Sequence, residues 1–437
     1  NAEQSRIIIQ FPINSIQSDI SSGVLPADTG SIKFHLNLYN APHGSSTPED
    51  FTLDLKMLSQ SWTEGRGLDM DNYSDLGVSN WVSASSGVSW ESEGGSALTG
   101  LNTSASVSFD TGLENISIDV SEQVYKWLDT TDNYGFLVRF PDSAVSGSDS
   151  LYTKKFFGRT SEFYHYQPTI EARWDSARKD NRGNFYISSS VAPAADNLNT
   201  LYLYNVIRGQ LTNIPGLTNN ELMVELYSGS NALTVISSAG SSVSAVTGGL
   251  LVENGNTITG VYTASFASTS SLETIFDVWH TGSGVSRTEF YTGSYEPLSV
   301  GTTDLLYDTV YLTTITNLED NYKKGQKPKL RVFVRDKDWS PNIYTVANAA
   351  IETTTVEEAY YSIHRSIDNF NIIQFGTGSS NNNFSRLSYD VSGNYFELDT
   401  SCLEPGYMYG IKFAYYLQGE YREQPEVFKF KIEEDDV

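Results

Sequence analysis

Metal-assisted or acid–base chemistry needs side chains brought together, and histidines are the first residues to test for it. His35, His43, His165, His280 and His364 are scattered, and none sits in a His-x-x-x-His pair. His35 and His165 fall at outward-facing strand or loop positions. Hard oxygens cluster in Leu68-Asp69-Met70-Asp71-Asn72-Tyr73-Ser74-Asp75. Calcium takes roughly six to eight such ligands. The glycine of the hand-shaped loop and its distal bidentate Glu are missing. A calcium site at Asp69, Asp71 and Asp75 therefore competes with a plain acidic turn, and no other cofactor is expected.

Nucleophilic and phosphate chemistry find no better footing. Gly282-Ser283-Gly284 and Ser146-Gly147-Ser148 lack the Gly-x-Ser-x-Gly spacing of a nucleophile elbow and read as loops. No glycine-rich turn leads into a helix through Lys-Ser or Lys-Thr. A glycosidase needs two carboxylates at a set separation, and no pattern selects such a pair. We expect no enzyme. Stacking aromatics are the remaining binding chemistry. Tyr73, Trp81 and Trp90 lie in the irregular stretch between Trp62 and Ser108. Tyr202 and Tyr204 share an outward strand face if Leu201 and Leu203 point inward. These rings could form a glycan platform or a protein interface; simple loop packing is the plainer reading.

The elements that must position these residues are almost all strands. Alternation with period two marks half-buried strands. Ile32, Phe34, Leu36 and Leu38 alternate with Lys33, His35, Asn37 and Tyr39. The same rhythm recurs at Ile116–Val120, Phe136–Phe140, Leu330–Val334 and Phe428–Ile432. One short helix is expected over Ser121–Asp129, with Ser121 as cap, Glu122 at the positive end, and Val124, Trp127 and Leu128 on one face. Asp119 is placed to satisfy backbone donors near that helix, and Arg159 could pair with Glu162.

The chain has 437 residues, net charge −25, 19% charged residues and 13% aromatics. So aromatic a chain is not an acidic disordered one. Its charge repels phosphate backbones, so no direct nucleic-acid partner is expected. No apolar run approaches the roughly 18 residues of a membrane helix, so no membrane insertion is expected. Cys402 stands alone, which excludes an intrachain disulfide. The start, Asn1, lacks the basic region of a secretory signal. Three β-sandwich domains follow from the pattern: 1–175, 183–297 of immunoglobulin size, and 298–437. Asp175-Ser176-Ala177-Arg178-Lys179-Asp180-Asn181-Arg182 reads as a linker. The fold class is all-β, with serial jelly-roll or immunoglobulin-like sandwiches and one short helix in the first.

Six segments in order then resemble the DNRLRE domain, a β-sandwich of bacterial surface and phage proteins. They are Arg6-Ile7-Ile8-Ile9-Gln10-Phe11, Ser31–Tyr39, Ser61-Trp62-Thr63-Glu64-Gly65, Ile118–Leu128, Asn133-Tyr134-Gly135-Phe136-Leu137, and Phe156–Glu162 with Gln167-Pro168-Thr169-Ile170. The strands that precede the first segment in the family are missing here. That leads us to expect a truncated start and an edge left open for another chain. Arg331–Tyr344, Leu403–Phe413 and Pro425–Phe430 resemble stretches of structural proteins from contractile-tailed phages, especially marine T4-like ones. The resemblances imply a bacteriophage virion protein of tail, neck, baseplate or capsid decoration, in an extracellular particle. Its partners would be other virion proteins and copies of itself, with a surface glycan conceivable. The alternative is a carbohydrate-binding or adhesin module array of a bacterial surface or secreted protein.

Overall fold

The computed structural model describes residues 4–27, 30–65, 77–129, 131–145, 153–253, 255–298, 310–337, 353–378, 383–417 and 419–433. The chain is all-β in several sheets and divides into two compact units, Asn1–Trp174 and Asp175–Val437.

The first unit is two sheets facing across one core. One sheet has the order β1 (Ile7–Ile9), β6 (Phe136–Arg139), β3 (Phe51–Met57), β4 (Ser104–Phe109); the other has β5 (Ile116–Asp119), β2 (Lys33–Leu38), β7 (Thr169–Arg173). Neighbours are antiparallel, for example Leu36↔Ile118 and Leu36↔Ile170. The alternating residues Phe34, Leu36 and Leu38 meet Leu53, Leu55, Met57, Phe136 and Val138 in the core. Each such side chain contributes on the order of 1.5–3 kcal/mol by leaving water. Leu137, on the opposite face of β6, is also buried, under a satellite cluster with Leu58, Ala84 and Trp90.

The helix α2 (Ser121–Asp129) has the expected bounds, with Val124 and Trp127 buried. Its capping differs. Asp119 accepts the Ser121 N–H at 2.9 Å, while Ser121 Oγ accepts the buried Phe34 N–H at 2.8 Å. The structure adds a helix that periodicity in the strands had hidden, α1 (Asn14–Ser22). Ile16 and Ile20 pack one face of it on the core. It ends at Gly23, whose φ of 78° places its N–H back on the last turn.

β2 also departs from simple alternation. His35 and Asn37 are 8% exposed, not outward-facing in water. β2 is the central strand, so side chains from both neighbours roof its outer face. Glu171 bridges Asn37 at 3.1 Å and Arg173 at 2.9 Å. Burial, then the Arg173 charge, lower the His35 pKa. The expected Arg159–Glu162 pair is replaced by Arg159–Glu64, 3.0 Å apart.

The second unit holds two cores. In one, β8 (Asn199–Tyr204), β9 (Leu222–Ser228), β10 (Val246–Glu253), β11 (Asn256–Ala267), β12 (Ile275–Thr281) and β13 (Thr288–Tyr295) pair in the order β8-β11-β10-β9-β12-β13. They close over Phe185, Leu201, Tyr262, Phe266 and Trp279. In the other, a sheet of β14 (Tyr311–Ile315), β15 (Lys329–Asp336), β18 (Gly393–Glu397) and β17 (Ser388–Asp390) faces one containing β16 (Ala359–Arg365), β19 (Met408–Leu417) and β20 (Phe428–Glu433). Leu330, Val332 and Val334 pack there against Ile411, Phe413 and Phe430.

Candidate functional site

The stretch that reads as a linker is where the second unit concentrates its charge chemistry. Asp180, Asn181 and Arg182 are buried. Polar composition marks a linker only when water solvates it; here strands take up several of its backbone groups instead. Tyr389 N–H donates to Arg178 O at 2.9 Å, and Asp180 N–H donates to Tyr389 O at 3.0 Å. The stretch thereby extends the sheet at β17. One residue on, Asn181 N–H donates to Thr200 O at 2.9 Å, and Thr200 N–H donates to Asn181 Oδ1 at 2.8 Å. Consecutive residues are thus bonded first to β17, in one core of this unit, and then to β8, in the other.

Arg182 occupies the centre. Its Nη2 donates to Asp277 Oδ2 at 2.6 Å, its Nε to Asp277 Oδ1 at 3.3 Å, and its Nη1 to Asp180 Oδ2 at 3.0 Å and to Tyr202 O. Trp279 Nε1 donates to Asp277 Oδ2 at 2.7 Å. The Arg182 guanidinium also lies 5.3 Å from the Tyr291 ring centre. Gly293 makes room: a Cβ there would stand 2.7 Å from Asp277 Oδ1. One cation is shared by two carboxylates in a nearly water-free place. Burial, then the paired carboxylates, decide the titration. The Arg182 pKa is raised by Asp277 and Asp180. Burial, with Asp390 and Asp277 nearby, pushes the Asp180 carboxyl up to about 6, despite Arg182. Arg182 is already engaged by Asp277, so it only partly compensates the desolvation of Asp180.

Two partly buried pairs flank this centre. Arg178 grips Glu253 with two bonds of 2.7 and 2.9 Å. Arg331 grips Asp390 with two of 2.6 and 2.8 Å. Tyr395 lies under both Lys329 (3.6 Å) and Arg331 (4.8 Å). Its hydroxyl shares a hydrogen bond with Tyr204.

The aromatic candidates are placed as follows. Leu201 and Leu203 do point inward, and the Tyr202 and Tyr204 rings lie 6.2 Å apart and nearly parallel. Both rings belong to the Arg178–Tyr395 neighbourhood, and burial pushes the Tyr202 hydroxyl up to about 12. Trp90 is buried in the satellite cluster and donates to Asn80 O at 2.8 Å. Trp81 is half-buried beneath the Arg6 guanidinium, 4.7 Å from the ring centre. Tyr73 and the calcium candidates Asp69, Asp71 and Asp75 lie outside the described residues. Among the described residues no group of three or more His, Cys, Asp or Glu could hold a metal ion, and no helix is long and apolar enough to cross a membrane. Sequence reasoning missed Asp180, Arg182 and Asp277. The available signal was the inward register of Asp277, two positions before Trp279 in an apolar strand. A scan against family models finds no match, and neither does a search of curated proteins.

Proposed function

We propose that this chain is a non-enzymatic structural subunit of a bacteriophage virion, a spacer and docking component of the tail, neck, baseplate or capsid decoration. The observation that carries it is the buried Asp180–Arg182–Asp277 centre within a strand shared by two sandwiches. Such a joint resists bending, because moving either sandwich exposes or unpairs buried charge. The carboxylates near it are held by guanidinium groups and are not presented to a substrate. The six DNRLRE-like segments supply the virion part of the proposal, together with the phage-like stretches of the last third. Excess negative charge would keep the free subunit soluble before it buries surface on neighbours.

Imaging of purified source particles, with peptide mass mapping of their components, tests this. The chain should repeat at a symmetric position. A chain recovered only as a free monomer that binds glycans would overturn it. One observation favours that second reading, an adhesin array. Phe163 and Tyr164 are 49% and 43% exposed beside a Phe157–Tyr166 stack of 5.1 Å. A glycan array with Phe163→Ala as control discriminates the two.

A further inference from the structure

β1 is an end strand. It pairs with β6 through Ile7↔Val138, Ile8↔Leu137 and Ile9↔Phe136, and among the described residues no strand pairs with its other side. A cleft of about 1190 Å³ opens beside it. One wall is the continuous run from Ile7 through Asn14; the other includes Thr153 through Arg159. That second wall is also half-paired. Ala41 N–H donates to Lys155 O and Phe157 N–H to Tyr39 O, both at 2.9 Å. Of the first wall only Ile7–Ile9 is strand, while Gln10–Ile13 is irregular and Asn14 opens α1. The unpaired edge of β1, about 10 Å long, is the part of the cleft open to a further strand.

Two further features specify what would fill it. Leu38 and Trp127, 2% and 4% exposed, are among its lining residues. Trp127 Nε1 is buried with no acceptor among the described residues. A buried indole donor ordinarily has a partner. The charged rim is balanced although the whole chain carries −25: Lys155 and Arg159 stand beside Glu64 and Asp132, while the Lys154 ammonium is taken up by Asn40 Oδ1, Gly112 O and Glu114 O. Arg159 meets Glu64 only at the exposed surface, and Lys155 is exposed.

We propose that this cleft takes an extended peptide strand from another protein. The strand adds to β1 by main-chain hydrogen bonds, the mode of β-augmentation. Apolar side chains at alternate positions enter over Leu38 and Trp127, a carbonyl accepts the Trp127 Nε1 proton, and carboxylates meet Lys155 and Arg159. A second copy fits this charge pattern less well, because two chains of net charge −25 repel each other. The inference does not depend on the virion proposal.

The test uses the full chain and a fluorescein-labelled peptide with valine at alternate positions, threonine between, and two glutamates at one end. Anisotropy should show saturable binding, and hydrogen exchange should slow at the Ile7–Ile9 amides. A proline at the centre of the peptide removes a ladder donor and should weaken binding roughly threefold to tenfold, the worth of one lost hydrogen bond. The surface change Lys155→Glu should weaken it about threefold, a typical exposed-pair effect. Trp127→Phe keeps an aromatic ring, removes the donor and should also weaken it. No saturable binding at millimolar peptide, or equal binding of the proline peptide, overturns the proposal. So does concentration-dependent protection of the β1 amides without peptide, which would assign the cleft to a second copy.

Discussion

Replacing Arg182 by Met leaves two carboxylates, Asp180 and Asp277, in a site where their side chains are 5% and 0% exposed. Met matches the apolar stem of Arg but offers no donors, so the carboxylates lose three hydrogen bonds and the Tyr202 carbonyl one. Breaking a buried pair by removing one partner costs roughly 3–5 kcal/mol. For a unit of this size that lowers the midpoint by roughly 10 °C. Part of the cost is avoidable at low pH, because the Asp180 carboxyl already sits at about 6 and protonates readily. The deficit should therefore shrink between pH 7 and pH 5. A triple variant, Arg182→Met with Asp180→Asn and Asp277→Asn, removes the stranded charge and should recover much of the loss. The control is Arg178→Met, whose pair with Glu253 is about one-third exposed and should cost about 1 kcal/mol or less. Urea unfolding read at the fluorine resonance of 5-fluorotryptophan at Trp279 isolates this transition, because its indole N–H lies on Asp277. If Arg182→Met costs no more than Arg178→Met, or if the triple variant is no better than the single, the joint does not hold the two sandwiches as described.

The Asp180 pKa of about 6 in the fold lies above its ordinary value of 3.8, so the folded state takes up a proton first as pH falls. Its contribution to stability therefore rises from pH 7 towards pH 4, and Asp180→Asn should forfeit that gain, roughly 2 kcal/mol over the interval; parallel denaturation curves at pH 4, 5, 6 and 7 would refute this. Gly135→Ala should destabilise by roughly 1–3 kcal/mol and speed exchange of the β1 amides, since φ is 88° there and a Cβ would stand 2.1 Å from Ile9 O. Ser121→Ala strands the buried Phe34 N–H and should cost about 1–3 kcal/mol by chemical denaturation. Chelator should leave the thermal midpoint unchanged; a rise of several degrees with added calcium would instead assign Asp69, Asp71 and Asp75 as ligands.

Strands with one wet face were legible in the sequence. Leu330, Val332 and Val334 alternate with Arg331 and Arg335 because β15 has solvent on one side, and periodicity reports that directly. His35 and Asn37 deceived, because neighbours on both edges roof β2, and no local pattern encodes a roof. α1 was hidden for a different reason: Ile13 offers no side-chain cap, and the helix carries no acidic residue in its first turn and no basic residue in its last. The joint was the least legible. A run of Asp, Arg, Lys and Asn has the composition of a solvated linker, and only partners far along the chain, Asp277 and Tyr389, turn it into an interior.

Those distances also order the molecule in time. Arg182 must wait for Asp277, 95 residues later, and Asn181 for the Tyr389 hydroxyl, 208 residues later. At about 5–20 residues per second of synthesis, the second wait lasts roughly 10–40 s. From the completion of β13 at Tyr295 until Tyr389 emerges, the finished core displays an unpaired main-chain stretch at Arg178–Asp180, a template for errant strand pairing. Emergence of β17 removes the template. The core that contains β17 therefore acts as the in-built chaperone of the one before it.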